Sequence, residues 1–213
     1  MFLDSDDAFT PLAFDEINAA LSKDLDLLIF GFRQCFLTSA RDMEYIPNGK
    51  FSIDEFYKNN LLNQVWNKAY RRQFIIDNNI KFRPYKYGED RLFNGDVLSC
   101  APRVVTIEKV LYDYMIDKSV SLISGYNEHK FEACVEIHKS FSSLCKDKTV
   151  LSFMLLKNVL SCMTVLFADN CHLSKGEKKS KIKAILQNDD ILDDIDLSQM
   201  SLPYKIIGKI INI

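Results

Sequence analysis

The stretch MFLDSDDAFTP, residues 1–11, decides how the rest of the chain is read. An apolar run, Met1, Phe2 and Leu3, is followed at once by the carboxylates Asp4, Asp6 and Asp7. Such a run has the character of a buried strand that delivers an acidic cluster at its end. Alternate residues of an extended chain share a face, so Asp4 and Asp6 lie on the same side. Two or three acids at a strand end, just ahead of a helix, suit a hard divalent cation that also touches phosphate oxygens. Mg2+ or Mn2+ commonly takes only one or two protein carboxylates in such sites. The competing reading is a solvated acidic loop in which Asp7 or Thr10 caps the next helix.

The composition sets the frame. With 213 residues, 47% apolar and 26% charged, the chain has room for one cored domain, or one domain with a helical appendage. A net charge of -2 and the lack of an aromatic-interleaved basic stripe argue against nucleic acid as a partner. The six cysteines form no C-x-x-C pair and no metal-ligand spacing, which fits a reduced, cytoplasmic compartment with thiols buried as small apolar groups. No signal peptide is recognisable. The longest apolar stretch, from Val150 to Ala168, is interrupted by Lys157 and Asn158 and reads as a core helix rather than a membrane span.

Downstream of the acidic cluster, element types alternate. Thr10-Pro11 predicts a helix start, with a hydroxyl cap and proline at the first helical position, running to about Ser22. LDLLIFGF, from Leu25, predicts a buried strand, and MEYIP, near Met43, another. Asn48-Gly49 predicts a tight turn, and Ser52 with Glu55 a capping box opening a short helix. A tryptophan-centred segment, NQVWNKAYRRQFIIDNN, leads into a helix ended by Asn78-Asn79. After an irregular stretch comes a helix with Glu89 and Asp90 in its first turn, weakened by about 1 kcal/mol at Gly95. RVVTIEKVLYDYMI predicts one or two strands. From about Asn127 the periodicity turns helical: three helices are expected, with the lysine-rich stretch from Lys175 forming solvated faces.

Two further constellations carry candidate chemistry. In Gly88-Glu89-Asp90, one acid is a candidate general base, given burial and a neighbour to raise its pKa; the alternative is a pair of acids that complement the helix dipole. Trp66-Asn67-Lys68, with Arg71 and Arg72, is either a substrate platform or a core tryptophan flanked by surface bases. His138, on an apolar helix face, reads as a satisfied core histidine.

In order, FLDSDDAFTPLAFDEI, DLLIFGF, QVWNKAYRRQFIIDNNIKF and GEDRLFNGDVLSCAPRVVTIEKVLYDYMI closely resemble the second half of family 2 glycosyltransferases. Within that family they look most like the bacterial enzymes that build capsule and surface polysaccharides. The resemblance covers roughly residues 1–125. It implies the C-terminal part of a GT-A type α/β fold, a mixed sheet with flanking helices over 1–125, followed by a helical extension over 126–213. It further implies an inverting, metal-dependent transfer of sugar from a nucleotide-sugar, with a UDP-sugar as leading candidate, to a glycan or lipid-linked acceptor. By that resemblance Asp4 sits near the nucleotide, Asp6 binds Mn2+ or Mg2+, and Asp7 supports either. Asp90 is the general base and Glu89 orients it or contacts the acceptor, while Trp66, Asn67 and Lys68 help to shape the acceptor side.

The chain also departs from the family pattern. Relatives carry βαβ units ahead of the DSDD strand, roughly 90 residues at ~30 per unit. The expectation is a truncated enzyme with little donor affinity by itself, or alternatively a non-catalytic remnant acting as an interaction module. Relatives often have arginine where Met115 stands, so a basic contact to the donor diphosphate, if the family uses one there, is missing or supplied from elsewhere. The C-terminal LPYKIIGKIINI places four isoleucines on one helical face, a candidate either for peripheral contact with the inner face of the cell membrane or for packing against the helical extension.

Overall fold

The apolar run that begins at Leu27 is buried on both faces, and a strand buried on both faces carries continuous rather than alternating hydrophobicity. In the computed structural model, which describes residues 1–21, 24–36, 42–116, 125–188 and 193–198, this run is the strand β2, Leu27–Phe36. Leu27, Leu28, Ile29 and Phe30 are each at most 1% exposed.

The elements follow in the order β1 (Ala8–Phe9), α1 (Ala13–Ala20), β2, β3 (Met43–Tyr45), α2 (Ile53–Lys58), β4 (Lys68–Tyr70), α3 (Arg72–Asp77), α4 (Glu89–Ser99) and β5 (Val104–Ile116). They continue with α5 (Lys130–Ser142), α6 (Lys148–Thr164), a short 3-10 turn (Val165–Phe167) and α7 (Lys175–Ile185). The chain divides into two units, one of Met1–Arg83 with Glu89–Ser121, the other of Pro84–Gly88 with Leu122–Ile213.

The first unit is built on a five-stranded mixed sheet in the order β1-β5-β2-β3, with β4 also paired to β2. β2 and β5 run parallel, and the other pairings are antiparallel. β3 and β4 share one edge of β2 at opposite ends, β4 against Leu27–Ile29 and β3 against Phe32–Gln34. β5 is one long strand, but its register against β2 shifts on both sides of Gly31. A Cβ at Gly31 would lie 2.7 Å from the Lys109 carbonyl oxygen and 2.9 Å from that of Tyr45. Only glycine fits between those two backbones.

Three expectations are corrected at the start of this unit. Residues 1–3 form no strand and remain exposed; among the described residues no strand pairs with them. The first helix starts at Ala13, not at Pro11, and ahead of it the Thr10 amide pairs with the Leu111 carbonyl at 3.0 Å. Thr10 still serves the helix entry, through its carbonyl, which accepts from the Ala13 amide at 3.0 Å. At Ser52 the helix starts as expected, but no side-chain cap bond forms. The three-residue strand β4 was not expected, since its segment reads as leading into a helix.

The second unit is helical. Cys134, Leu155, Leu156, Val159, Cys162, Ile185 and Ile195 form its core. Asp147 caps α6 by accepting from the Thr149 and Val150 amides, and Ser174 and Glu177 close a capping box on α7. The segment Lys148–Phe167 is, contrary to the sequence expectation, long and apolar enough to cross a bilayer by length and composition. Its residues Leu155, Leu156, Val159 and Cys162 nevertheless belong to the unit's core, and 61% of its apolar window is buried. His138 is 4% exposed, and its Nε2 lies 2.7 Å from Asp194 Oδ2. It is a satisfied core histidine. The amphipathic tail from Leu202 lies outside the described residues.

Candidate active site

The acidic segment is folded back on itself, with the Asp7 amide donating to the Asp4 carbonyl at 3.2 Å. β5 then fixes it at two points. The Tyr112 hydroxyl donates to Asp7 Oδ2 at 2.7 Å, and the Met115 amide donates to Asp7 Oδ1 at 2.8 Å. The same hydroxyl accepts from the Asp4 amide at 3.3 Å. Asp7 therefore has both oxygens engaged, while Asp4 and Asp6 are exposed to solvent.

The charges of this segment act on one another. Burial and the neighbouring Asp6 carboxylate push the Asp4 pKa up. Asp7 is also raised, chiefly by burial, against the opposing bonds from Met115 and Tyr112. Burial and the bonded Asp7 carboxylate push the Tyr112 phenol well above its usual value, which keeps it a donor. Met115 enters this arrangement through its backbone amide, which holds Asp7. In the same stretch of sheet, Arg33 forms a fork with Asp113, Nε to Oδ1 at 2.9 Å and Nη2 to Oδ2 at 3.1 Å.

The tryptophan segment lies alongside. The Trp66 ring stacks on Tyr112 with 4.5 Å between centroids, and on Tyr114 at 5.2 Å. Phe32 meets its edge at 4.8 Å. Trp66 is 7% exposed, so it is a core ring that braces the tyrosines of β5. Asn67 and Lys68 are fully buried. Asn67 Nδ2 donates to the Phe30 and Leu61 carbonyls at 3.3 and 3.4 Å. Lys68 Nζ donates to the Leu61 and Gln64 carbonyls at 2.7 and 2.6 Å, and to Asn67 Oδ1 at 2.6 Å. Their polar atoms point into the protein, towards the loop 61–65. Arg71 is likewise turned inward: its Nε donates to the Leu25 carbonyl at 2.6 Å.

Helix α4 brings in the third motif. Asp90 stands in its first turn, and its Oδ2 accepts the Val65 amide at 3.1 Å. Burial is the main cause of a pKa raised to about 6. Glu89 and Asp4 push in the same direction, whereas the Val65 amide and the Lys68 ammonium oppose them. The carboxylate that the sequence marked as a candidate base is thus poised near neutrality, the range in which a base both stays ionised and accepts a proton readily. Acidic segment, tryptophan segment and helix start converge in one place. Asp4 is near enough to Asp90 to act on its charge, and Val65 links Asp90 to the residue stacked on Tyr112.

Two side chains of this arrangement were not singled out from sequence. Tyr112 ties Asp4 and Asp7 to the sheet. Asn94, 1% exposed, lies one turn after Asp90 on α4. Its Nδ2 donates to the Leu62 and Gln64 carbonyls at 3.0 and 2.9 Å, and its Oδ1 accepts from the Tyr70 hydroxyl at 2.6 Å. The available signal was the i, i+4 spacing from Asp90, which puts both on one helix face.

Among the described residues no group of three His, Cys, Asp or Glu is gathered to hold a metal ion. The donor set fits a different kind of site. Asp4 and Asp6 are exposed hard-oxygen donors close enough to repel, and a cation shared with phosphate needs only one or two carboxylates.

No family model matches the chain. It is 27% identical over 127 residues, 54% of this chain and 37% of the other, to an Escherichia coli K12 protein described as the uncharacterized glycosyltransferase YibD. In fold it is similar to the crystal structure of S. aureus TarS 1-349 in complex with UDP-GlcNAc. The TM-score is 0.63 at 18% identity, over 88% of this chain and 56% of that chain. The fold is the GT-A type that the motifs led one to expect, and the resemblance to glycosyltransferases is borne out. The chain spans between about a third and somewhat over half of the lengths of these two relatives.

Proposed function

We propose that the chain carries the metal-binding and acceptor side of an inverting glycosyltransferase. The donor is a nucleotide-sugar, a UDP-sugar in the first instance, and the acceptor a hydroxyl of a glycan or lipid-linked saccharide. The observation that carries the reading is the state of Asp90. This carboxyl has a pKa of about 6, one oxygen held by a backbone amide, and the Asp4 carboxylate of the acidic segment close by.

In this reading Asp90 takes the proton of the acceptor hydroxyl as its oxygen attacks the anomeric carbon. The bond from that carbon to the diphosphate oxygen breaks, and its electron pair leaves with the nucleoside diphosphate. One displacement inverts the anomeric centre, and no covalent nucleophile is required. Asp6, with Asp4 beside it, would hold a divalent ion, Mn2+ or Mg2+, whose chemistry is to neutralise charge on the leaving diphosphate. Asp7 sets the backbone of that segment rather than offering a free oxygen. Glu89 keeps the base from being too acidic, and Trp66, Asn67 and Lys68 shape the acceptor side through the loop they brace and hold.

The test is paramagnetic broadening in amide NMR spectra of the chain titrated with Mn2+ in the presence of UDP. Selective broadening at residues 4–7, lost in Asp6→Asn, is the expected result. Unselective broadening, or broadening that survives in Asp6→Asn, overturns the metal assignment. A chain that binds Mn2+ and UDP but never releases nucleoside diphosphate with any acceptor favours a non-catalytic interaction module instead.

A further inference from the structure

Lys68 is wholly buried, and its ammonium is met by three neutral oxygens, those of the Leu61 and Gln64 carbonyls and of the Asn67 side chain. A buried ammonium is costly to keep unless it is well paired. Burial accordingly pushes the Lys68 pKa well down, against the pull of Asp90. A second buried polar side chain reaches the same loop from the other direction. Asn94 donates to the Leu62 and Gln64 carbonyls and is itself oriented by the Tyr70 hydroxyl. The carbonyls of residues 61, 62 and 64 are thus all fixed from inside by two side chains. The next amide in the chain, that of Val65, is the one that meets Asp90 Oδ2 at 3.1 Å.

We propose that Lys68 and Asn94 are positioning residues that clamp the 61–64 carbonyls, so that the Val65 amide holds one oxygen of Asp90 and leaves the other for the acceptor hydroxyl. The proposal rests on the reading of Asp90 as the general base. Asn94 is placed for this role because it shares a helix face with Asp90 one turn away. Lys68 adds a charge effect to the geometric one, since its ammonium lowers the Asp90 pKa while Glu89, Asp4 and burial raise it. The phenol of Tyr70 is a further titratable group near Asp90, its own ionisation opposed by burial and by that carboxylate. A clamp of this kind makes the motif around Trp66 a support for the base rather than a surface that touches the acceptor.

The experiment is an NMR pH titration of the full chain, labelled at the aspartate carboxyl carbons and at backbone nitrogen. In the unaltered chain the Val65 amide should shift with the same midpoint as the Asp90 carboxyl. In Lys68→Met and in Asn94→Leu, the Asp90 midpoint should move to a pH about one higher and the Val65 response should shrink. Folded variants that keep both signatures overturn the proposal. So does an unaltered chain whose Val65 amide ignores Asp90, an outcome that needs no variant to fold. Asp90→Asn with undiminished turnover would sink the base reading while leaving the clamp's NMR signature intact, so the two failures are distinguishable.

Discussion

The Tyr112 hydroxyl donates to Asp7 at 2.7 Å and accepts from the Asp4 amide at 3.3 Å, so one phenol fixes both ends of the acidic turn to β5. Tyr112→Phe should keep the stacking on Trp66 and lose only these bonds. The expected costs are about 1 kcal/mol in urea denaturation and a roughly tenfold weaker Mn2+ affinity in the presence of UDP. Tyr114→Phe, which keeps the other ring stacked on Trp66, serves as the control and should leave the Mn2+ affinity unchanged.

The Asp90 pKa makes a two-sided prediction. Its value of about 6 in the fold lies above the ordinary 3.8, so the folded state binds more protons between those values. Stability from this group is complete below about pH 4 and is lost as the pH rises through about 6. Asp90→Asn can still accept the Val65 amide but carries no buried charge. It should therefore be more stable than the unaltered chain at pH 7.5, by on the order of 2 kcal/mol, and equal to it near pH 4. Turnover should show the opposite trend, failing in the unaltered chain below about pH 6 as the base is protonated.

Gly31 stands where β5 shifts register, between two carbonyl oxygens that cannot retreat without moving strands. Gly31→Ala should cost about 1–3 kcal/mol by urea denaturation. An unchanged midpoint would contradict the close approach.

Helix α6 is read as a core element although its composition would let it cross a bilayer. Leu156, fully buried in the helical unit, separates the two. Leu156→Ala should destabilise the chain by about 2–5 kcal/mol in detergent-free buffer. A neutral effect would mean that the side chain faces something other than this core.

Much of the first unit was legible in the sequence because its signals are local. The apolar run from Leu25 announced a buried strand, and Asn59 and Asn79 marked helix ends within a residue. β4 lies inside the tryptophan-centred segment, whose sequence reads as leading straight into a helix. The Thr10-Pro11 signal placed the helix start two residues early, and the pairing of the Thr10 amide with the Leu111 carbonyl is non-local and invisible to it. The candidate site shows the same division. Asp90 and the acidic cluster were visible as residue types in order, whereas what holds them was not. Tyr112 lies 105 residues from Asp7, and the sequence allows Lys68 as a platform donor or a surface base, whereas its ammonium is held by carbonyls inside the protein.

The central claim is that Asp90 deprotonates an acceptor hydroxyl in an inverting glycosyl transfer. The most direct measurement is nucleoside diphosphate release from UDP-sugars with a panel of saccharide acceptors, comparing the unaltered chain with Asp90→Asn and following the product anomer by NMR. The account predicts release that requires an acceptor, a product of inverted configuration, and a loss of about 10²–10⁴-fold in Asp90→Asn. Undiminished turnover in Asp90→Asn, or a product of retained configuration, would contradict it.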